Sequence, residues 1–151
     1  MNPLRNRRKV ALQVLYQLDN GLFADDEASH LEAIQESLDL GDAKTSDDTI
    51  SEGLKVAKAT WDQRDAADAA LAPLTPDWPL HRQPVIDRNL LRLAWYEMCQ
   101  AGTPPKVVIS EAVELAKEFS TDQSPSFING VLDHLFQQLR STPSAAPDAP
   151  S

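Results

Sequence analysis

Side chains that commonly carry out chemistry are few in this sequence and lie apart. His30, His81 and His134 are widely separated, and none has a second metal-binding side chain three or four residues further on. The single cysteine, Cys99, follows an apolar helical segment, where a thiol is more often packed than nucleophilic. Five glycines in the whole chain leave little material for a phosphate-binding loop. We therefore predict no catalytic residue, no metal site, no cofactor and no enzymatic activity.

A basic segment opens the first predicted helix. The first ten residues contain four cations, Arg5, Arg7, Arg8 and Lys9, and no acid, whereas the whole chain has a formal charge of −9. Cations in the first turn of a helix oppose its dipole. Violations of such local rules are commoner at functional sites. An overall negative charge argues against nonspecific binding to nucleic acid, which depends on neutralising phosphates.

The helical period separates this basic segment from the predicted core. An apolar face is formed by Val10, Ala11, Val14, Leu15, Leu18 and Leu22. At about 100° per residue, the side away from that face displays Arg5, Arg8, Lys9, Leu12 and Tyr16. A basic stripe beside an exposed ring suits single-stranded RNA, because the cations meet phosphates and the ring stacks on a base. A merely solvated charged face is the alternative.

The last third of the chain predicts a helical hairpin. Its first helix buries Val108, Ala112, Leu115, Ala116 and Phe119, and its second buries Ile128, Val131, Leu132, Leu135 and Leu139. Ser124 is expected to cap the second helix, with Pro125 at its first position. Gly130 lies inside that helix, where glycine costs about 1 kcal/mol relative to alanine. We therefore expect another backbone, or a ligand, to approach Gly130 closely.

Further helices are predicted between these two ends. Residues 25–40 form a short helix, a second runs from Ile50 to Leu71, and a third covers 86–98 and ends at Gly102. Four prolines between residues 73 and 84 enforce a connector, which Trp78 and Leu80 would attach to the surface. No apolar run alternates with a period of two. The predicted fold is all-α, with two small helical bundles packed together and about seven helices.

The predicted organisation is an N-terminal helical subdomain at 1–72, a connector at 73–85, a C-terminal helical subdomain at 86–140 and a disordered tail at 141–151. With 42% apolar residues the chain can form a core. It contains no run long and apolar enough to span a membrane, so we expect no membrane association. The lone cysteine excludes an internal disulfide and favours a cytoplasmic location.

Four segments resemble those of a known family. VVISEAVELAKEF and SFINGVLDHL are similar to the two C-terminal helices of the NusB family of bacterial transcription antitermination factors. IDRNLLRLAWYEM resembles the preceding helix of that family, and RRKVALQVLYQLD resembles its first helix. Together these segments cover about a third of the chain, in the order of the family.

This resemblance implies a function and a set of sites. The family fold is all-helical in two bundles. The protein pairs with the ribosomal protein NusE, binds boxA RNA and nucleates an antitermination complex on RNA polymerase during ribosomal RNA synthesis. The RNA surface would comprise Arg5, Arg8, Lys9, Tyr16, Phe127 and Asn129. Asp87 and Arg88 would face the protein partner.

Two positions depart from the family pattern. The family commonly has a basic residue before the phenylalanine of its last helix and a lysine after the Leu-Asp pair, where this chain has Ser126 and His134. Both changes remove positive charge, which a basic partner could supply. The competing interpretation is a protein-interaction module that binds a partner, or a second copy as a homodimer, without touching RNA. The RNA-binding domain attached to some ribosomal RNA methyltransferases is a third, although no catalytic domain follows here.

Overall fold

The computed structural model describes residues 3–21 and 47–141. These ranges contain α-helices and short 3₁₀ helices and no strand, which confirms the predicted all-α class. The α-helices are α1 (Pro3–Asp19), α2 (Asp47–Asp62), α3 (Arg64–Leu71), α4 (Val85–Cys99), α5 (Pro105–Phe119) and α6 (Ser124–Ser141). The 3₁₀ helices are Ala72–Leu74 and Leu80–Arg82. The helix predicted at 25–40, Leu22 and the tail at 142–151 lie outside the described residues.

The chain divides into two compact units, Met1–Asp65 and Ala66–Ser151. In the first unit α1 packs against α2. Its fully buried side chains include Val10 and Leu15 of α1 and Leu54 of α2. A Cβ atom on Gly53 would lie 2.6 Å from the Cβ of Val10 and 2.8 Å from the carbonyl oxygen of Arg7. Glycine at position 53 therefore sets how closely the two helices approach.

The ends of these helices follow from local chemistry. Gly21 has a φ of 74°, and its N–H donates to the carbonyl of Leu18 at 3.0 Å, so α1 ends on a glycine as helices often do. The single helix predicted from Ile50 to Leu71 is wrong, because the chain turns at Gln63 between α2 and α3. The Thr60 hydroxyl donates to the Val56 carbonyl at 2.8 Å, a back-bond that competes with regular helix geometry.

In the second unit α4, α5 and α6 pack against one another. Leu90, Leu115, Ile128 and Leu132 are among the side chains that fill this core. Helix α4 ends at Cys99, and the predicted stop residue Gly102, whose φ is 72°, lies three residues further on. The predicted apolar stripes extend too far, however, because Phe119 and Leu139 are each 42% exposed in the last turns of α5 and α6.

A partly buried ion pair attaches α3 to α4 within this unit. Arg92 is 8% exposed, and its Nε and Nη2 atoms donate to the two carboxylate oxygens of Asp68, both at 2.8 Å. Its Nη1 donates to Asn89 Oδ1 at 3.1 Å. A two-pronged arginine-carboxylate pair of this kind fixes orientation as well as distance.

None of the helices within 3–21 and 47–141 is long and apolar enough to cross a membrane. The predicted domain boundaries at 72 and 85 remain predictions.

Candidate nucleic-acid interface

The basic start of α1 carries the first group of predicted RNA contacts. The first turn of α1 contains no acid. Arg5 and Lys9 are partly exposed, and Tyr16 is 39% exposed further along the helix. Arg5, Arg8 and Lys9 each have an interaction within the protein. Arg5, Lys9 and Tyr16 are therefore accessible to a ligand at the surface. An RNA phosphate would replace the internal contacts of Arg5 and Lys9.

The predicted outward face of α1 needs a correction. Leu12 is 3% exposed and Arg8 is 6% exposed, although both were placed on the side away from the core. The reason is that α1 is covered on more than one side, which a helical wheel with a single apolar stripe does not anticipate. Arg8 as an RNA contact remains a prediction, but its side chain is not displayed as those of Arg5 and Lys9 are.

The second group lies at the start of α6. Phe127 is half-buried, and Asn129 is exposed one turn into the helix. The ring of Phe127 meets that of Trp78 edge to face, with centroids 4.7 Å apart and an angle of 63° between the planes. This contact fastens the proline-rich segment to α6. The N-terminal group belongs to the first unit and the Phe127 group to the second.

A groove of about 380 Å³ runs beside this aromatic pair. Residues 74–78 form one wall, and Ser126, Phe127, Gly130 and Val131 form the other. We call this feature the Trp78 groove. The sequence predicted Phe127 and Asn129 as RNA contacts and Trp78 only as an anchor for the connector. An aromatic residue within a proline-rich segment was the sequence feature that could have indicated this groove.

Gly130 does not pack against a backbone, so that prediction is wrong. A Cβ atom at this position would have no neighbour within 4 Å, and the residue is exposed. Because glycine has no side chain, the Trp78 groove stays unfilled at this position. The alternative expectation, an approaching ligand, is compatible with this position.

Asp87 has an internal environment, in contrast to the predicted partner contact. It is fully buried at the start of α4, and its carboxylate accepts hydrogen bonds from the hydroxyls of Ser120 and Ser124, the latter at 2.8 Å. The hydroxyl of Ser124 is thus engaged with Asp87 and with Thr121, whose N–H donates to it at 3.2 Å. Asp87 therefore ties α4 to the turn that begins α6. Arg88 is partly exposed and has an interaction within the protein.

The two positions that depart from the family pattern are both at the surface. Ser126 lies on the rim of the Trp78 groove, and His134 is exposed two turns further along α6. Neither supplies a permanent positive charge near Phe127.

The described ranges hold no group of three histidine, cysteine or acidic side chains that could bind a metal ion. Burial raises the pKa of the Cys99 thiol above its usual value. This thiol is therefore largely protonated at neutral pH, and a protonated thiol is a weak nucleophile.

The all-helical fold in two units, with cations beside Tyr16 in the first unit and the Trp78–Phe127 ring pair in the second, defines a helical protein with two candidate RNA-binding groups. The model of the NusB family matches residues 5–137, and the chain belongs to this family. It is 38% identical over 140 residues to the transcription antitermination protein NusB of Anaeromyxobacter dehalogenans, covering 92% of this chain and 94% of that protein.

Solved structures agree with this assignment. The structure of T. maritima NusB matches with a TM-score of 0.72 and 27% identity, over 91% of this chain and 92% of that one. A structure of the antitermination factors NusB and NusE in complex with dsRNA matches with a TM-score of 0.72 and 20% identity, over 91% and 98% of the respective chains. The second similarity establishes the fold alone.

Proposed function

We propose that this chain is a transcription antitermination factor that binds boxA RNA together with the ribosomal protein NusE during ribosomal RNA synthesis. Membership of the NusB family over residues 5–137 is the observation that carries this proposal. The matched span includes every residue of both candidate RNA groups. A related NusB structure also contains NusE and RNA. The protein acts in the cytoplasm, as a part of the antitermination complex on RNA polymerase, and without enzymatic activity.

The proposed RNA contacts divide by chemistry. Arg5 and Lys9 neutralise phosphates at the surface. Arg8, which is largely buried, is the third proposed phosphate contact. Tyr16 and Phe127 offer rings to bases, and the amide of Asn129 can both donate and accept hydrogen bonds. Arg88 is the proposed contact for NusE. The carboxylate of Asp87 is buried and stabilises the start of α4 from the interior.

One titration tests the function. Labelled boxA RNA is titrated with the chain alone, with NusE alone and with both, at several salt concentrations, and a scrambled RNA of equal length serves as the control. We expect the pair to bind boxA RNA more tightly than either protein alone and more tightly than it binds the scrambled RNA. If the pair shows no preference for boxA RNA, the proposed function is wrong.

A second function is favoured by two observations, the burial of Arg8 and the formal charge of −9. Both reduce the attraction of this chain for RNA, so the same helices could serve as a protein-interaction module. In that case the chain binds NusE or a second copy of itself, and adding it to NusE leaves the affinity for RNA unchanged. The titration above separates the two functions.

A further inference from the structure

We propose that the Trp78 groove binds one unpaired RNA base that carries an exocyclic amino group, namely adenine, guanine or cytosine. This inference rests on the proposed RNA-binding function. It adds a base-selective pocket, with Asp77, Trp78 and Gly130 as its determinants, to the surface contacts of Phe127 and Asn129.

The aromatic walls of the groove are held in place before any ligand arrives. The Trp78 backbone is fixed on both sides, because its N–H donates to the Thr75 carbonyl at 3.2 Å and its carbonyl accepts from Gln83 Nε2 at 2.8 Å. The Phe127 ring packs against the indole of Trp78, with 4.7 Å between the ring centroids. A rigid aromatic platform is what single-stranded nucleic acids use for stacking, since every base has an aromatic face. Little ordering is then required on binding.

The size of the groove fits a small planar ligand. Its volume of about 380 Å³ lies at the lower end of the range for ligand pockets. Gly130 keeps this space open, because any side chain at this position would project into a region with no atom within 4 Å of its Cβ. Glycine inside a helix is unfavourable. An open ligand site accounts for it here, since no neighbouring backbone does.

The polar groups at the rim select between parts of an RNA chain. Asp77 and Ser126 border the groove, and its lining residues include no cation. An ionised carboxylate is an acceptor only, so Asp77 favours an amino group on a base and repels phosphate. The hydroxyl of Ser126 can donate or accept. A base fits this combination better than the sugar-phosphate backbone.

An apolar side chain of a protein partner would also fill an apolar groove. The acidic residue at the rim and the shared wall at Phe127 favour a base over such a side chain. Occupancy of the groove by a protein side chain is therefore one outcome of the test.

The test uses the full chain with NusE and a series of boxA RNAs in which each base in turn is removed while its sugar and phosphate are kept. In the wild-type complex, removal of one particular base should weaken binding by about 5- to 140-fold, the loss expected for one stacked base. Gly130→Leu places a side chain in the groove, and its Cβ meets no atom within 4 Å. It should weaken binding of the intact RNA by a similar factor and make that base removal neutral.

Gln137→Leu is the matched control, since it places the same side chain two turns further along α6 and outside the groove. It should leave RNA binding unchanged. Thermal unfolding of both variants should show that they remain folded.

The outcomes separate the groove from the function. If wild type prefers boxA RNA but Gly130→Leu binds it equally well, or still loses affinity on removal of the same base, the groove holds no base and only this inference is overturned. If Gly130→Leu weakens the association with NusE and not that with RNA, the groove is a protein site and the inference is again overturned. If wild type with NusE shows no preference for boxA RNA, the proposed function fails as well.

The selectivity is tested by placing each of the four bases at the sensitive position. Wild type should prefer a base with an amino group over uracil by about tenfold, since the single donor on the pairing edge of uracil, N3–H, lies between two carbonyl oxygens that the carboxylate of Asp77 repels. Asp77→Asn should reduce this preference to about twofold or less, because an amide can also donate to uracil. Equal affinity for all four bases in the wild-type complex would contradict the role of Asp77.

Discussion

At the scale of single residues, the environment of Asp87 decides its role. An acid in the first turn of α4 is favourable for the helix dipole, and the sequence alone allows either a surface contact or a structural role. The structure places this carboxylate in the interior, against the hydroxyls of Ser120 and Ser124. Both hydroxyls depend on it for a charged acceptor.

Asp87→Ala should therefore lower the free energy of unfolding by about 2–3 kcal/mol, because two hydrogen bonds to a charged group are lost and the hydroxyl of Ser124 stays buried. Asp87→Asn should recover part of this loss, since an amide can accept from one hydroxyl and donate to the other. Urea unfolding measures both. Asp122→Ala, at an exposed position in the same turn, is the control. An equal effect of both alanine variants would refute the structural role.

The cations of α1 should separate into two kinds. Arg5 and Lys9 are partly exposed, so the double variant Arg5→Ala, Lys9→Ala should unfold within about 1 kcal/mol of wild type, even though each side chain loses an interaction within the protein. It should flatten the slope of log K against log salt for single-stranded RNA by about 1.4, at roughly 0.7 for each phosphate. Titrations with NusE at several salt concentrations measure the slope. An unchanged slope would show that these cations do not contact RNA phosphates.

Arg8→Ala provides the contrast. Because Arg8 is 6% exposed, whereas Arg5 and Lys9 are partly exposed, its loss should lower the thermal midpoint as well as RNA affinity. If this variant has normal stability and only weakened RNA binding, Arg8 acts as a surface contact, as Arg5 and Lys9 do.

Tyr16 should act through stacking and not through charge. Tyr16→Ala should weaken RNA binding by about 1–3 kcal/mol and leave the salt slope unchanged, since no phosphate contact is lost. Tyr16→Phe is the matched control and should bind almost as wild type, because the ring is kept. If the alanine variant binds RNA normally, the 39% exposed ring is not a stacking surface.

Two helical glycines show at the scale of elements why residue type alone does not reveal environment. Gly53 lies in the close contact between α1 and α2, whereas Gly130 faces open space. Because glycine is unfavourable inside a helix, the sequence analysis predicted a close approach at Gly130, and it made no prediction for Gly53. The distinction depends on which helices meet, and this information is not present in the periodicity of either helix.

Alanine substitutions should therefore have opposite effects at these positions. Gly130→Ala should raise the free energy of unfolding by up to about 1 kcal/mol, from helix propensity alone. Gly53→Ala should lower it by about 1–3 kcal/mol, because its Cβ would clash with Val10 and with the backbone oxygen of Arg7. Urea midpoints at constant m-value measure both changes. Destabilisation by Gly130→Ala would contradict the open position.

Helix existence was more predictable than helix burial. The apolar period identified α1, α4, α5 and α6, and Gly102 marked the end of α4 to within three residues. The break at Gln63 was missed, because a helix-forming sequence continues through it. The Trp78 groove was missed too, since segments that are distant in sequence form it. The NusB motifs name candidate residues, but the burial of Arg8 and Asp87 depends on packing that the motifs do not show.

At the scale of the whole molecule, charge sets how RNA can be bound. The chain has a formal charge of −9, and four of its fourteen lysines and arginines lie in the first ten residues. Ser126 and His134 add no permanent cation near Phe127. Because phosphate neutralisation supplies much of the affinity for RNA, this chain needs cations from a partner. Complementary charge also favours fast association of an acidic chain with a basic ribosomal protein.

The affinity of the chain for boxA RNA should therefore rise by about 5- to 150-fold when NusE is present, the usual range for coupled binding. Association of the chain with NusE should itself weaken as salt is raised, since exposed charges are screened. Fluorescence anisotropy of labelled RNA gives the first quantity, and calorimetry at several salt concentrations gives the second. An unrelated protein with the same positive charge as NusE is the control and should give no gain. If the chain alone binds boxA RNA as tightly as the pair does, its own cations suffice and the charge argument is wrong.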